Sequence, residues 1–557
     1  MSFLLSRSWI QKNTQLIGWV VIVVFLFFAA RERFHLTPVS ILTPETPVSI
    51  LTPDSWGWLS PSLYWIGGKG FYEQTEREWL YSAFIAGCLR STGSFAGYAH
   101  IQQVLGLLTA VLMWMTWRRW ISFLPKSIII ESISTVIGLC IVAFYLFSPY
   151  YIFFELTIQP EAILPFFVFL QLFCILSFCQ YRWQQVHPLK AIFFGAFSIF
   201  LAYTLFVLKP NWLLAALGTL CPIFLGFFGQ KPPSLLSRFL GPLLGFVLIV
   251  TILWLPERIL FVHTIKTRMV LPVTLFTIHA DLIQRNLNQE LMSSKISPHR
   301  RAFLQKFLPV FNRELEISRH EKNILKLLGF DPDYLMYRSS IFKFLVAEYQ
   351  MTQEDMASFC MDSFRDVVIS HPLTYIRKVV RQGSLFLFPD QKTFIRKSVD
   401  LQKCYLESLP RLPNDFCASF NSTTQSLYSA YTDSVKREAV QEHRIEAARW
   451  ACSLIREARR IFFPLMVAFV ILLLVSILWA RLAFLRLPGL GASVIFAAPA
   501  GMALTIALVH ALDNDRYRMV YGAILFFALG IFLIYVSVAI TDIIRIIRTK
   551  QSIAKHL

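Results

Sequence analysis

The stretch Ile461-Phe-Phe-Pro-Leu-Met-Val-Ala-Phe-Val-Ile-Leu-Leu-Leu-Val-Ser-Ile-Leu-Trp-Ala480 runs for 20 residues without a charge, between Arg459-Arg460 and Arg481. As a helix rising about 1.5 Å per residue, it matches the roughly 30 Å hydrocarbon core of a bilayer. Inside that core only a helix satisfies all of its own backbone polar groups. Working outward, similar blocks recur at 15–31, 101–117, 127–148, 161–180, 191–208, 211–229 and 238–255, and then at 460–480, 488–511 and 518–541. These are ten expected spans, and the chain is expected to be an all-α polytopic membrane protein.

Composition agrees. Of 557 residues, 55% are hydrophobic and 16% charged, with 51 Phe, against about 25% charged in soluble domains. Mean hydropathy is +0.54. These values exclude a soluble globular enzyme, a disordered chain and a disulfide-stapled secreted domain. The first block reads as a retained helix rather than a cleaved signal. It is long, it is followed by Arg31 and Arg33, and no small-residue cleavage site follows.

Orientation follows from the Lys and Arg of the short connections. With the N-terminus (Arg7, Lys12) in the cytoplasm, the basic loops Arg118–Lys126, Arg182–Lys190, Lys231–Arg238 and Arg481–Arg486 all fall inside, as does the tail Arg545-Ile-Ile-Arg548-Thr-Lys550. The 53 Lys and Arg exceed the 34 Asp and Glu by 19. Because this excess is spread over loops, it fits topology and anionic lipid head groups rather than nucleic acid. Membrane lipids are therefore expected partners.

Three regions emerge: a membrane module 1–255 with a long first external loop 32–100, an external insert 256–459, and C-terminal spans with a basic tail, 460–557. The insert reads as mostly helical, from apolar spacings such as Arg301-Ala-Phe-Leu-Gln-Lys-Phe-Leu308 and Ile341-Phe-Lys-Phe-Leu-Val346. Cys404 and Cys417 are its closest cysteine pair, and either a bridge or free thiols fit the spacing. The first loop contains a direct repeat, Thr37-Pro-Val-Ser-Ile-Leu-Thr-Pro-Glu45 followed by Thr46-Pro-Val-Ser-Ile-Leu-Thr-Pro-Asp54. Two nine-residue copies are too few for a solenoid, so the repeat reads as an extended, proline-stiffened spacer.

Ionisable residues beside spans are functional candidates, because placing them there is costly. In this topology they gather at the external face. Asp54 opens Pro53-Asp-Ser-Trp-Gly-Trp58, and Arg77 and Tyr81 follow in the same loop. Glu155 and Glu161 flank the start of the fourth span, Lys209 lies at the turn after the fifth, and Arg516 and Arg518 open the last. Structural accounts stand beside each. Asp54 could cap the following helix, Glu161 could favour a helix N-terminus, and Arg77, Lys209 and Arg518 could be snorkelling anchors.

The order of these features resembles the GT-C superfamily of lipid-linked-sugar glycosyltransferases, in particular its aminoarabinose-transferase and protein-mannosyltransferase-like branch. The residues carrying the resemblance are Pro53-Asp54-Ser-Trp-Gly-Trp, Arg77-Glu-Trp-Leu-Tyr81, Ile101-Gln-Gln-Val-Leu-Gly, Ser148-Pro-Tyr-Tyr, Pro160-Glu161, Lys209-Pro210 and Arg516-Tyr517-Arg518. The resemblance covers residues 1–255 and part of the last span, with no counterpart for 256–459. It implies a GT-C-like fold in a bacterial inner membrane, with an active site on the periplasmic face. The implied reaction transfers a sugar, with inversion, from a polyprenyl-phosphate donor to a lipid, glycan or protein acceptor. Asp54 would be the catalytic base. Arg77, Lys209, Arg516 and Arg518 would hold the donor phosphate, while Glu155, Glu161 and Tyr81 would position acceptor or sugar hydroxyls. No motif demands a cofactor, and a divalent metal is compatible with the acids present. The alternative reading is a lipid or glycolipid transporter or flippase, which would place its charges near the midplane in repeated halves.

Overall fold

The computed structural model describes residues 2–35, 49–70, 78–228, 270–321, 328–387, 398–413, 420–446, 449–509 and 515–556. The chain divides into two compact units: residues 1–253, 388–501 and 516–557 form one, and 254–387 with 502–515 the other.

The first unit begins with α1 (Ser2–His35), α2 (Trp56–Ile66), α3 (Trp79–Thr92), α4 (Phe95–Ile121), α5 (Ile128–Leu146) and α6 (Pro149–Glu155). It continues through α7 (Leu164–Cys179), α8 (Pro188–Leu208), α9 (Leu213–Thr219) and α10 (Cys221–Phe228). Prolines at the first turn set several starts, as at Pro149 and Pro188, where the missing N–H costs nothing. Helix α7 packs between α4 and α8, and α1 lies along α5.

The second unit contains α11 (Val270–Ile278), α12 (Ala280–Met292), α13 (Pro298–Arg319), α14 (Ile341–Tyr349), α15 (Gln353–Ser370) and α16 (Pro372–Leu387). Its core is aromatic. Phe303, Phe307 and Phe311 follow one another at every fourth residue of α13, and both neighbouring ring pairs stack with centroids 5.5 Å apart. This is the expected apolar stripe of 301–308, buried against Phe276 and Ile283. Helix α15 opens with a capping box between Thr352 and Asp355.

The chain then returns to the first unit through β1 (Ser398–Asp400), α17 (Leu401–Ser408), α18 (Ser422–Glu438) and β2 (Arg444–Glu446), before α19 (Arg449–Leu478). Strands β1 and β2 pair antiparallel, Val399 opposite Ile445. The last two helices are α20 (Arg486–Val509), whose residues from 502 on group with the second unit, and α21 (Asp515–His556). The division therefore differs from the expected single insert 256–459, since residues 388–459 group with the membrane helices. The Cys404–Cys417 pairing depends on Cys417, which lies outside the described residues.

Among the described residues, eight helices are long and apolar enough to cross a membrane: Asn13–Phe34, Phe95–Ile121, Ile128–Leu146, Leu164–Gln184, Pro188–Leu208, Arg460–Leu478, Ala480–Val509 and Gly522–Thr549. They coincide with eight of the ten expected spans, and the protein is an integral membrane protein. The expected span 211–229 is a shorter apolar stretch, Pro210–Leu225, interrupted at Leu220 between α9 and α10. The expected span 238–255 lies outside the described residues. Only 17% of the apolar window of α1 is buried inside the protein, leaving Ile17, Val23 and Phe27 outward. Such a surface suits lipid rather than water. Where helices touch, small residues permit close approach: a side chain at Gly501 of α20 would sit 2.5 Å from the Ala215 backbone of α9.

Polar contacts mark the two ends of this bundle. At the near rim, Arg118 pairs with Glu131 at 2.8 Å, Gln15 reaches the same carboxylate at 3.3 Å, Arg119 bonds Gln180, and the Trp120 indole donates to the Pro488 carbonyl at 2.9 Å. At the far rim lie the end of α1, residues 49–51, residues 146–161, Lys209, Ser408, Arg411 and Tyr431.

Candidate functional site at the far rim

The first loop is tied down on both sides. Ile50 forms a parallel bridge with Thr157: its N–H donates to the Leu156 carbonyl at 2.7 Å, and its carbonyl accepts from Ile158 at 3.1 Å. Gln159 donates to the Thr52 hydroxyl. From the other side, the Ser408 hydroxyl accepts the Leu51 N–H at 3.2 Å, and Arg411 and Tyr431 donate to the Leu51 and Ser49 carbonyls at 3.0 and 2.8 Å. Asp54, half-buried, follows two residues after Thr52. The cap position of α2 belongs to Ser55, whose hydroxyl is engaged by the Thr52 N–H at 2.8 Å.

Two residues beyond Gln159, Glu161 sits fully buried and forms an ion pair with Lys209, itself buried at the end of α8. Asp54 and Glu161 are thus each two residues from the Thr52–Gln159 hydrogen bond, and each such step spans at most about 7 Å. Tyr81 joins the same neighbourhood through Gln102, whose amide donates to the Tyr81 hydroxyl at 3.1 Å and to the Thr157 carbonyl at 3.3 Å. The Tyr81 and Tyr98 hydroxyls are 2.7 Å apart. Burial pushes the Tyr81 phenol well above its ordinary value, and the charge of Glu161 adds to the rise. Tyr81 therefore stays protonated and can donate.

Three buried acceptor oxygens here have no hydrogen-bond partner among the described residues: Glu161 Oε2, Gln159 Oε1 and Gln102 Oε1. The indole Nε1 of Trp212, one turn beyond Lys209, is a buried donor in the same condition. Each such atom costs about 1–3 kcal/mol unless a ligand or water fills it. Chemically, the set can accept hydrogen bonds from hydroxyl groups and donate one in return.

Glu155 has a different place from the one expected. Arg33, fully buried at the end of α1, grips it bidentately, Nε to Oε2 at 2.7 Å and Nη2 to Oε1 at 3.0 Å. The remaining guanidinium nitrogen donates to the Leu146 carbonyl at 2.8 Å. Helix α4 passes so close that a Cβ on Gly106 would collide with the carboxylate. With both oxygens held, Glu155 joins α1 to α6 rather than facing a substrate. In sequence, Arg33 reads only as a basic flank of the first span. Its carboxylate partner is 122 residues away, and no local pattern links them.

Arg77 lies outside the described residues. Arg516 and Arg518 lie in the first turn of α21, and their side chains are likewise outside what is described. Among the described residues no three His, Cys, Asp or Glu side chains gather as a metal would need. No family model, curated protein or solved structure matches this chain.

Proposed function

We propose that this protein is an integral membrane glycosyltransferase of GT-C type, moving a sugar from a polyprenyl-phosphate donor to an acceptor on the extracytoplasmic face. The observation carrying this reading is the hydrogen-bonded junction of the first loop with residues 156–161. It brings the loop of Asp54 to the Glu161–Lys209 pair and its unfilled acceptors. In the reaction, an acceptor hydroxyl attacks the anomeric carbon while the bond from that carbon to the phosphate oxygen breaks. Asp54 takes the hydroxyl proton as attack proceeds. The polyprenyl phosphate leaves with one more negative charge, which Lys209, with Arg77, Arg516 and Arg518, would stabilise in a water-poor setting. The open oxygen of Glu161 would accept a sugar hydroxyl, fixing the ring for in-line attack. Tyr81 would act through Gln102, holding that amide in place. The acceptor is a lipid, glycan or protein hydroxyl, and the setting is a bacterial inner membrane with both termini cytoplasmic.

The test is Asp54→Asn in the purified full-length protein. Transfer should fall by a factor of about 100 or more, the usual scale of general base catalysis, while donor retention stays intact. Glu45→Gln, ending the first repeat copy, should be nearly silent. Full turnover by the Asp54 variant removes the base, and with it the mechanism as written.

A further inference from the structure

A cavity of about 760 Å³ shares no lining residue with the Glu161–Lys209 site. One wall is a single stripe of α1. Phe25, Phe28 and Glu32 follow at helical spacing with Arg31 beside them, so the stripe changes from apolar to charged where the span ends. Phe28 is about half exposed, and Phe25 meets Phe147 edge-on with ring centroids 6.1 Å apart. The other wall is β2, where exposed Arg444 and Glu446 share one face and flank buried Ile445, all three lining the cavity. The charged end thus holds two guanidinium groups and two carboxylates, and the apolar end is aromatic.

We propose that this cavity binds the headgroup of an aminophospholipid of the phosphatidylethanolamine type. A ligand matching both ends must be amphiphilic, with its acyl stem against Phe25 and Phe28. Its head must satisfy both signs of charge. Arg31 and Arg444 suit a phosphate, since guanidinium groups bind phosphate through directed pairs of hydrogen bonds. Glu32 and Glu446 suit a primary ammonium, which carries three N–H donors. A purely anionic head would set its phosphate against two carboxylates without return. A choline head has no N–H to give them. The inference does not depend on the sugar-transfer reading.

The experiment uses the full-length protein in detergent, exposed to equal amounts of phosphatidylethanolamine, phosphatidylcholine and phosphatidylglycerol with identical acyl chains, and read by native mass spectrometry. The ethanolamine lipid should be retained about tenfold over the other two, equivalent to one charge-assisted hydrogen bond. Glu446→Gln should reduce its advantage over phosphatidylglycerol, and Arg444→Ala should lower retention of all three. If a ribbon variant fails to fold, Glu32→Gln makes the same test from α1. Equal retention of the three lipids by the unaltered protein, or an unchanged preference in the Glu446 and Glu32 variants, overturns the assignment.

Discussion

Arg33 and Glu155 make opposite charges tolerable where neither could stand alone. Both are withdrawn from water, and each depends on the other for hydrogen bonds. Removing one partner strands a buried charge and costs about 3–5 kcal/mol, whereas replacing both with apolar residues of similar volume is often nearly neutral. Glu155→Ala should therefore lower the thermal midpoint in detergent sharply, and Arg33→Met with Glu155→Met should recover most of it. Failure of the double variant to recover would mean that the pair does more than neutralise itself. In the second unit, His279 is a buried neutral imidazole. Its Nε2 lies 3.3 Å from the Leu508 carbonyl, which makes Nε2 the protonated nitrogen. Burial, and then the charge of Lys378, push its pKa down from 6.5 to about 3. An unfolded chain takes up the proton first, so the contribution of His279 is complete above about pH 6.5 and is lost as pH falls toward about 3. The midpoint of the unaltered protein should therefore drop more between pH 7.5 and pH 5 than that of His279→Gln, which cannot titrate. Equal drops would assign the acid sensitivity to other groups.

Elements show where sequence reading succeeds and where it stops. A block such as 461–480 leaves the chain one solution in lipid, so the long spans are legible. Glu161 and Lys209 are legible as ionisable residues at span ends, because charge there needs a partner or a purpose. The division of the insert is not. Both of its parts carry the same helical apolar spacing, and that period says which face is buried but not against what. Strands β1 and β2 are three residues each, too short for alternation to register. Yet the segment they frame holds the first loop in place. Ser408 of α17 is fully buried with its hydroxyl between the Leu51 N–H and carbonyl. Ser408→Ala leaves that N–H without its partner, a cost of about 1–3 kcal/mol. Hydrogen exchange at residues 49–55 should accelerate, and exchange in α4 should not. Unchanged protection of the loop would mean that the bridge at Ile50 holds it unaided.

For the whole molecule, the contacts impose a parity rule. Ser49 and Leu51 of the first loop are hydrogen-bonded to Ser408, Arg411 and Tyr431, so both lie on one side of the membrane. Between them run four long spans, from Phe95–Ile121 to Pro188–Leu208, and four crossings return the chain to the starting side. The Lys209–Glu161 pair agrees, since residue 161 follows two crossings and residue 209 four. The chain therefore leaves residue 209 and returns at Ser408 on the same side of the membrane. The basic loops beside Lys126 and Gln185 belong to the opposite rim, the side that the positive-inside rule assigns to the cytoplasm. Single cysteines at the exposed positions Lys69, Glu442, Lys126 and Gln185, on a cysteine-free background, test this with a membrane-impermeant thiol reagent. Lys69→Cys and Glu442→Cys should label in intact cells, and Lys126→Cys and Gln185→Cys only after permeabilisation. Labelling of the second pair alone would invert the orientation while keeping the rims. Labelling of 69 and 442 from different sides would break the shared far rim, and the site assembled there could not exist.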